Sequence, residues 1–513
     1  MGIYRHISRT RVVIAVSSFA VTALLIAGTL AAQTPAPAVG VTIHPLALWV
    51  LQPTTPVLQA GEAQQFSAFV PAEYQSLVSW TASSGTVSST GLYTAPQVPG
   101  TYVVTASALG GSLSAKANVL VVPKQGATTA AADRLVEAVG VNVHLHYEGT
   151  LYRDGFPTIR SRLLELGIRH VRDGMVNTTW QGYYDRHNDL GRAGIKAVFI
   201  AEAGTTDAVL QDYPARMASS FEGYEALNEY DVSGRTDWAT VSRSVLSRIY
   251  RIKTAPALAR FPIYGPSLTK EASYQTLGNV SAYLDRANMH DYPAGRHPGT
   301  GGWGNNGYGS LTWNLGLVMP YAGGKPVVST ETGYRTSGAA DAVPELVAGK
   351  YMPRLVLEHF RRGVSRTYVY ELVDQGDEAY GLLRSNGTPK PAYSALKNLL
   401  TLLADPGPVI TVTPLRYTVS GGGPDLRHLA FQKRDGSYQL FLWLEGAGWD
   451  VNGQRTVAVA PQSVVVTLGG AERVVRTRAW GDNGMVAIGT PSSTSAQQAV
   501  MVTDRVLALE LRR

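Results

Sequence analysis

The 513-residue chain contains no cysteine. It can therefore form no disulfide, ligate no metal through thiolate and use no thiol nucleophile. Charge is also sparse, with Asp, Glu, Lys and Arg at 16% of residues against 45% hydrophobic. That balance excludes a disordered chain. Lysine is scarce, and no run of Lys and Arg points to a nucleic-acid partner. The formal charge of +7 overstates the basicity, because Arg5, Arg9 and Arg11 crowd the first segment and its removal leaves +4. Long apolar runs are confined to that same segment. It has a basic head, an apolar stretch from about Val12 to Ala32, and then small residues with a Pro/Ala spacer. This is the layout of a secretory signal peptide over residues 1–32 and predicts an exported, extracytoplasmic protein. Left uncleaved, the stretch is nearly long enough to anchor the chain in a membrane.

Beyond it, three textures follow one another. Residues 41–122 alternate apolar and polar positions in short runs (QQFSAFV, VSWTAS, GTYVVTASA, AKANVLVV) separated by Gly, Pro and Ser turns, the pattern of a small β-sandwich. Trp80 reads as a core residue of that sandwich. A spacer is expected at 123–133. From 134 to 404, apolar strand-like runs alternate with helical patterns eight times, which is the size and rhythm of a (β/α)8 TIM barrel. A doubly wound open sheet would want a G-x-G-x-x-G turn after its first strand, and the chain has none there. Residues 408–513 return to alternating strands, starting at VITVTP, with Asp-Gly in KRDGSYQ as a two-residue hairpin turn. This predicts a second β-sandwich, either packed on the barrel or free to bind sugar.

In such barrels chemistry sits where the strands end. The run ends carry His144 and His146 (strand 1), Arg172 and Asp173 (strand 2), Glu202 (strand 3) and Asn228, Glu229 and Tyr230 (strand 4). His290 and Tyr292 end strand 6, Glu331 and Tyr334 strand 7, and Glu371 strand 8. Polar and aromatic groups crowd a rim whose supporting strands are apolar.

Two resemblances enter here. WTASSGTVSSTGLYTAPQVPGTYVVTA resembles the bacterial immunoglobulin-like modules found beside secreted enzymes. Asn-Glu after strand 4 with a second Glu after strand 7, together with RHVRDG at strand 2 and HDYP at strand 6, resembles clan A retaining glycoside hydrolases, most closely family 39-like and family 5-like ones. The second likeness covers the barrel, about half of the chain. It implies that Glu229 is the general acid/base and Glu331 the nucleophile, cleaving β-glycosidic bonds of a polysaccharide by double displacement. Such chemistry needs one carboxyl to protonate the leaving oxygen while another attacks the anomeric carbon. Arg172 would hold Glu331 ionised, Tyr292 would assist, and Asn228 would bond the sugar 2-hydroxyl. His144, His146 and His290 would line the −1 position. The chain departs from the family pattern in ALNE before the acid/base residue and in Tyr370-Glu371 where a stacking Trp is usual, which leaves the sugar open.

Other residues have plainer readings. Glu222 and Glu225 are expected to be solvated or paired, and Asp231 to be a loop or cap residue. Glu371 is either a substrate contact or a partner of Arg172 or a histidine. His144 and His146 alternate on one strand, but without a clear third ligand no metal site, and no cofactor, is expected. Trp303 and Tyr308 of the Gly-rich loop GTGGWGNNGYG could stack on a sugar face. The protein is expected to act as a monomer on a polysaccharide or oligosaccharide. The other reading of the whole is a non-catalytic carbohydrate-binding or cell-surface protein on a glycosidase-like barrel.

Overall fold

Eight apolar runs pair side by side in parallel. They are β1 (Val139–Asn142), β2 (His170–Gly174), β3 (Lys196–Ala201), β4 (Phe221–Ala226), β5 (Ile263–Tyr264), β6 (Ala287–His290), β7 (Val327–Thr332) and β8 (Arg366–Val369). Their order in the sheet is β5-β4-β3-β2-β1-β8-β7-β6. A parallel bridge between Tyr264 and Arg286 brings β5 back to the start of β6 and closes the barrel. The computed structural model describes residues 50–513 apart from 53–56, 70–76, 99, 109–112, 123–128, 304–306, 424 and 492–494. The signal segment expected at 1–32 lies outside the described residues. None of the described helices is long and apolar enough to cross a membrane.

Helices follow the strands: α1 (Phe156–Leu166), α2 (Gln181–Arg192), α3 (Asp207–Arg216), α4 (Trp238–Lys253), α5 (Glu271–Leu277), α6 (Leu311–Ala322), α7 (Glu345–Arg361) and α8 (Pro391–Leu403). Helix α1 shows why the local sequence folds this way. Pro157 lies in its first turn, where no N–H is needed, Ile159, Leu163 and Leu166 form its buried stripe, and Gly167 ends it with φ +78°. At the barrel floor Val198, Tyr264, Val328 and Tyr368 pack together. Gly140 makes room for them, since a Cβ there would come within 2.5 Å of the Tyr368 ring.

Helix α7 breaks the amphipathic rule, being buried almost all round, because it lies between the barrel and the C-terminal strands. Lys350 meets Asp504 at 2.6 Å, and Arg354, fully buried, pairs with Glu445. The C-terminal region supplies five strands of a six-stranded sheet, which faces a three-stranded one. One face of the larger sheet joins the barrel core through Phe431, Phe441, Trp443 and Trp480; the other packs with the smaller sheet through Leu440, Leu442, Val464 and Val502. This sandwich is thus packed on the barrel.

Three sequence expectations are corrected. Ala130–Ala131, inside the expected spacer, form a parallel strand against Phe431–Gln432. VITVTP forms no strand; its alternation is flanked by Pro408 and Pro414, and the Thr413 and Leu415 amides donate to side chains of Gln432 and Thr129. The Asp-Gly turn is longer than two residues. Gln432 pairs with Tyr438, the Lys433 amide donates to Ser437, and Gly436 takes φ +81° at the left-handed position of a longer loop. Before the barrel, a four-stranded and a three-stranded sheet share a core of Leu58, Phe66, Tyr93, Val104 and Val119, with Trp80 packed against it. Glu62 of this layer meets Arg362 at 2.9 Å.

Candidate active site

Strand interiors of a closed barrel face one another, so polar residues on the inward positions must satisfy one another. Here Arg172 of β2, only 2% exposed, is the hub. Its Nε and Nη2 donate to the two oxygens of Glu225, each at 2.7 Å. Nη1 donates to Asn142 Oδ1 and to Glu331 Oε1, both at 2.8 Å, and Nη2 also reaches Asn228 Oδ1 at 2.7 Å. Glu225 Oε1 also accepts from Asn288 Nδ2 at 3.1 Å and from Thr330 Oγ1 at 3.2 Å.

Strand β7 aims two successive side chains inward. Its register slips against both neighbours between Ser329 and Thr332, a bulge of the kind that re-aims side chains beside active sites. As a result Thr330 bonds His290 Nε2 at 3.1 Å while Glu331 meets Arg172 and Tyr292. After β4 the chain turns sharply. Glu229 adopts the left-handed conformation, φ +45°, rare for a residue with a side chain. Its amide donates to Ser267 Oγ at 3.1 Å.

These elements bring Glu229 and Glu331 together. His290 stands between them, with Nδ1 2.8 Å from Glu229 Oε1 and 3.6 Å from Glu331 Oε2. The donor atoms of the three residues lie within 4.8 Å of one another. The tyrosine hydroxyl of Tyr292 donates to Glu331 Oε2 at 2.8 Å. Burial pushes the Glu331 carboxyl up, but the His290 and Arg172 charges and the Arg172 and Tyr292 hydrogen bonds outweigh it and bring its pKa down to about 2. Burial lowers His290, yet the two glutamates raise it above its ordinary value. The same three residues are the one grouping among the described residues compact enough to face a common cation. Arg172 and Tyr292 engage the two oxygens of Glu331, and His290 Nδ1 faces Glu229 Oε1.

The remaining expected residues divide. Asn228 sits beside the carboxylates with its oxygen held by Arg172. His144 and His146 lie past the end of β1, in the following turn rather than on the strand, and they engage different partners. His144 Nε2 is 3.3 Å from Glu371 Oε2, and its ring stacks on Tyr147. His146 Nδ1 is 3.5 Å from buried Asp173, which His187 supports from behind at 3.0 Å. Glu371, 1% exposed, also accepts from Tyr152 at 3.1 Å. Tyr370 bridges the His144 ring to those of Tyr292 and Tyr380. Trp303 packs on Tyr308 and under Arg296, 4.2 Å from its ring. Tyr334 is 3% exposed, donates to the Arg296 carbonyl and packs on Tyr351. Glu225 is paired and fully buried, not solvated. Asn142, Asn288 and Thr330 were not singled out by sequence, although a polar residue within VGVNV or ANMH marks an inward position.

No protein-family model matches the chain, and no curated protein matches it. Solved structures do. An arabinofuranosidase aligns with a TM-score of 0.50 at 11% identity, over 75% of this chain and 98% of that one. A glucosidase from Croceicoccus marinus aligns with a TM-score of 0.49 at 11% identity, over 76% and 98%. The likeness is one of fold. The shared architecture is an eight-stranded barrel with a C-terminal β-sandwich.

Proposed function

We propose that the chain is a secreted retaining glycoside hydrolase of the clan A kind, cleaving β-glycosidic bonds of a polysaccharide by double displacement. The observation that carries this is the Glu229–His290–Glu331 cluster at the strand ends, with carboxylate oxygens within 4.8 Å. Retaining enzymes hold their two carboxyls about 5–5.5 Å apart, whereas inverting ones leave room for a water. The glycosidase neighbours fit the same reading through their fold.

In this reading Glu331, held ionised by Arg172 and Tyr292, attacks the anomeric carbon and forms the glycosyl–enzyme bond. Glu229 gives its proton to the departing glycosidic oxygen, then takes one from the water that releases the sugar. His290 orients the Glu229 carboxyl through Oε1. With its oxygen held by Arg172, Asn228 turns its amide nitrogen outward as a donor for the sugar 2-hydroxyl, a contact that tightens in an oxocarbenium-like transition state. His144, Tyr147 and Tyr370 wall the −1 position. The N-terminal layer is the immunoglobulin-like module of an exported enzyme, and the signal segment is removed after residue 32 or shortly beyond.

The test is reducing-sugar release from a broad polysaccharide panel by the secreted protein, with Glu229→Gln and Glu331→Gln variants alongside and N-terminal sequencing of the product. Activity lost in both folded variants supports the reading. Activity retained in Glu331→Gln removes the nucleophile assignment.

A further inference from the structure

Arg172 is shared between two carboxylates, and only one of them has a role in the reaction proposed above. From Arg172, Glu331 receives one hydrogen bond, through Nη1, while Glu225 receives two, through Nε and Nη2. Glu225 is also held by Asn288 and Thr330, is 0% exposed, and lies in β4, four residues before Glu229 in the turn that follows the strand. A buried carboxylate this well bonded would be an expensive way to fill space.

We propose that Glu225 is a positioning residue for this reaction: by gripping the side and one end of the Arg172 guanidinium it aims Nη1 at Glu331, and its charge balances the site. The inference rests on the glycosidase reading for its catalytic meaning, but its physical content stands on the geometry. The charged groups around Glu225 come from every facing element. Arg172 comes from β2, Glu331 from β7, His290 from β6, Glu229 from the end of β4 and Glu202 from the end of β3, and the phenols are Tyr292 and Tyr321. Arg172 stands between the Glu225 and Glu331 carboxylates. Neutralising Glu225 removes one negative charge from beside the guanidinium. Every neighbouring group then releases its proton more readily.

Two measurements separate this role from a merely structural one. The first is the titration of the His290 imidazole by NMR on selectively labelled protein, which needs no substrate. In Glu225→Gln its midpoint should fall by about one pH unit. In the isosteric Asn288→Asp, which adds a carboxylate beside Glu225, it should rise. The second is the pH profile of kcat/KM, whose basic limb should move in the same two directions. Glu225→Asp, which keeps the charge, should restore the limbs while activity stays low because the two-point grip on Arg172 is lost. An unmoved His290 midpoint in folded Glu225→Gln overturns the proposal, and so does an unmoved one in Asn288→Asp if the first variant does not fold. A wild type without glycosidase activity but with the expected midpoint shifts would instead count against the proposed function alone.

Discussion

The barrel carries two clusters of the same residue types at its opposite ends. At the N-terminal end, Glu222 of β4 lies 2.8 Å from His170 Nδ1 and pairs with Arg366, while His170 Nε2 is 3.0 Å from Glu137. Arg366 also reaches the Tyr264 hydroxyl at 3.2 Å. At the C-terminal end stand Glu229, Glu331, His290 and Arg172. Both clusters depress a carboxyl: Glu222, like Glu331, is brought to about 2 by its partners against burial that pushes it up. Depressed carboxyls alone therefore do not mark the active end. Nor does a register slip: β7 slips beneath the upper cluster, and β4 slips between Phe221 and Gly223, at Glu222 of the lower one. The difference is Glu229, held in the left-handed region, which no residue of the lower cluster adopts. Irregular backbone that the surroundings hold in place is the mark of a site built for something other than stability.

The sharpest break of the comparison is Glu331→Gln. It should lower kcat by at least about 10⁴-fold, as removal of a nucleophile does, with the melting temperature near that of wild type; folding is read by circular dichroism and rate on the best polymer of the panel. Tyr292→Phe comes next. It removes one donor from Glu331 and, on the proposed mechanism, should cost on the order of 10²-fold in kcat with little change in KM. At the other end the effects should invert. Glu222→Gln should leave kcat per folded molecule unchanged and cost about 1–3 kcal/mol of stability, less than for a fully buried pair because the carboxyl is partly exposed. The sign of its pH dependence follows from the shift. The folded value, about 2, lies below the ordinary 4.5. The stabilisation is therefore complete above about 4.5 and is lost as pH falls through that range toward 2. Urea unfolding from pH 6 to pH 3 should show this loss in wild type and a flatter line in Glu222→Gln.

Much of the fold was legible because apolar runs closed by helix caps are local signals. The ends of β4 and β7 could likewise be read, and the structure brings Glu229 and Glu331 together. What failed to show depends on contacts distant in sequence. Glu225 looks like any strand glutamate until β2 supplies Arg172. Tyr334 follows Glu331 closely in sequence, and its enclosure by α7 and the stretch around Arg296 shows only in the fold. His144 and His146 read as one strand because alternation continues past Asn142 into the turn. Helix α7 carries Lys350, Arg354 and Glu358, which suggest a solvated face; it is buried because the C-terminal sheet covers it and supplies Asp504 and Glu445.

That sheet leads to the smallest expected effect. Glu445, on the C-terminal sandwich, lies 3.0 Å from His297 Nδ1 and accepts from the Gly299 amide at 3.0 Å and from Trp443 at 2.6 Å, besides pairing with Arg354. A Cβ on Gly299 would lie 2.3 Å from Glu445 Cγ, so the approach is close. The segment it holds runs from Tyr292, which donates to Glu331, to Trp303, under Arg296. A sandwich that only braces the barrel would be indifferent to His297. If it also fixes this segment, His297→Asn should raise KM for polymer by a few-fold, with kcat unchanged and about 1 kcal/mol lost in stability, the worth of one hydrogen bond. Steady-state kinetics on long and short substrates makes the distinction. A KM increase confined to long substrates places the C-terminal sheet in the architecture of the cleft, and an unchanged KM on both confines it to support of α7.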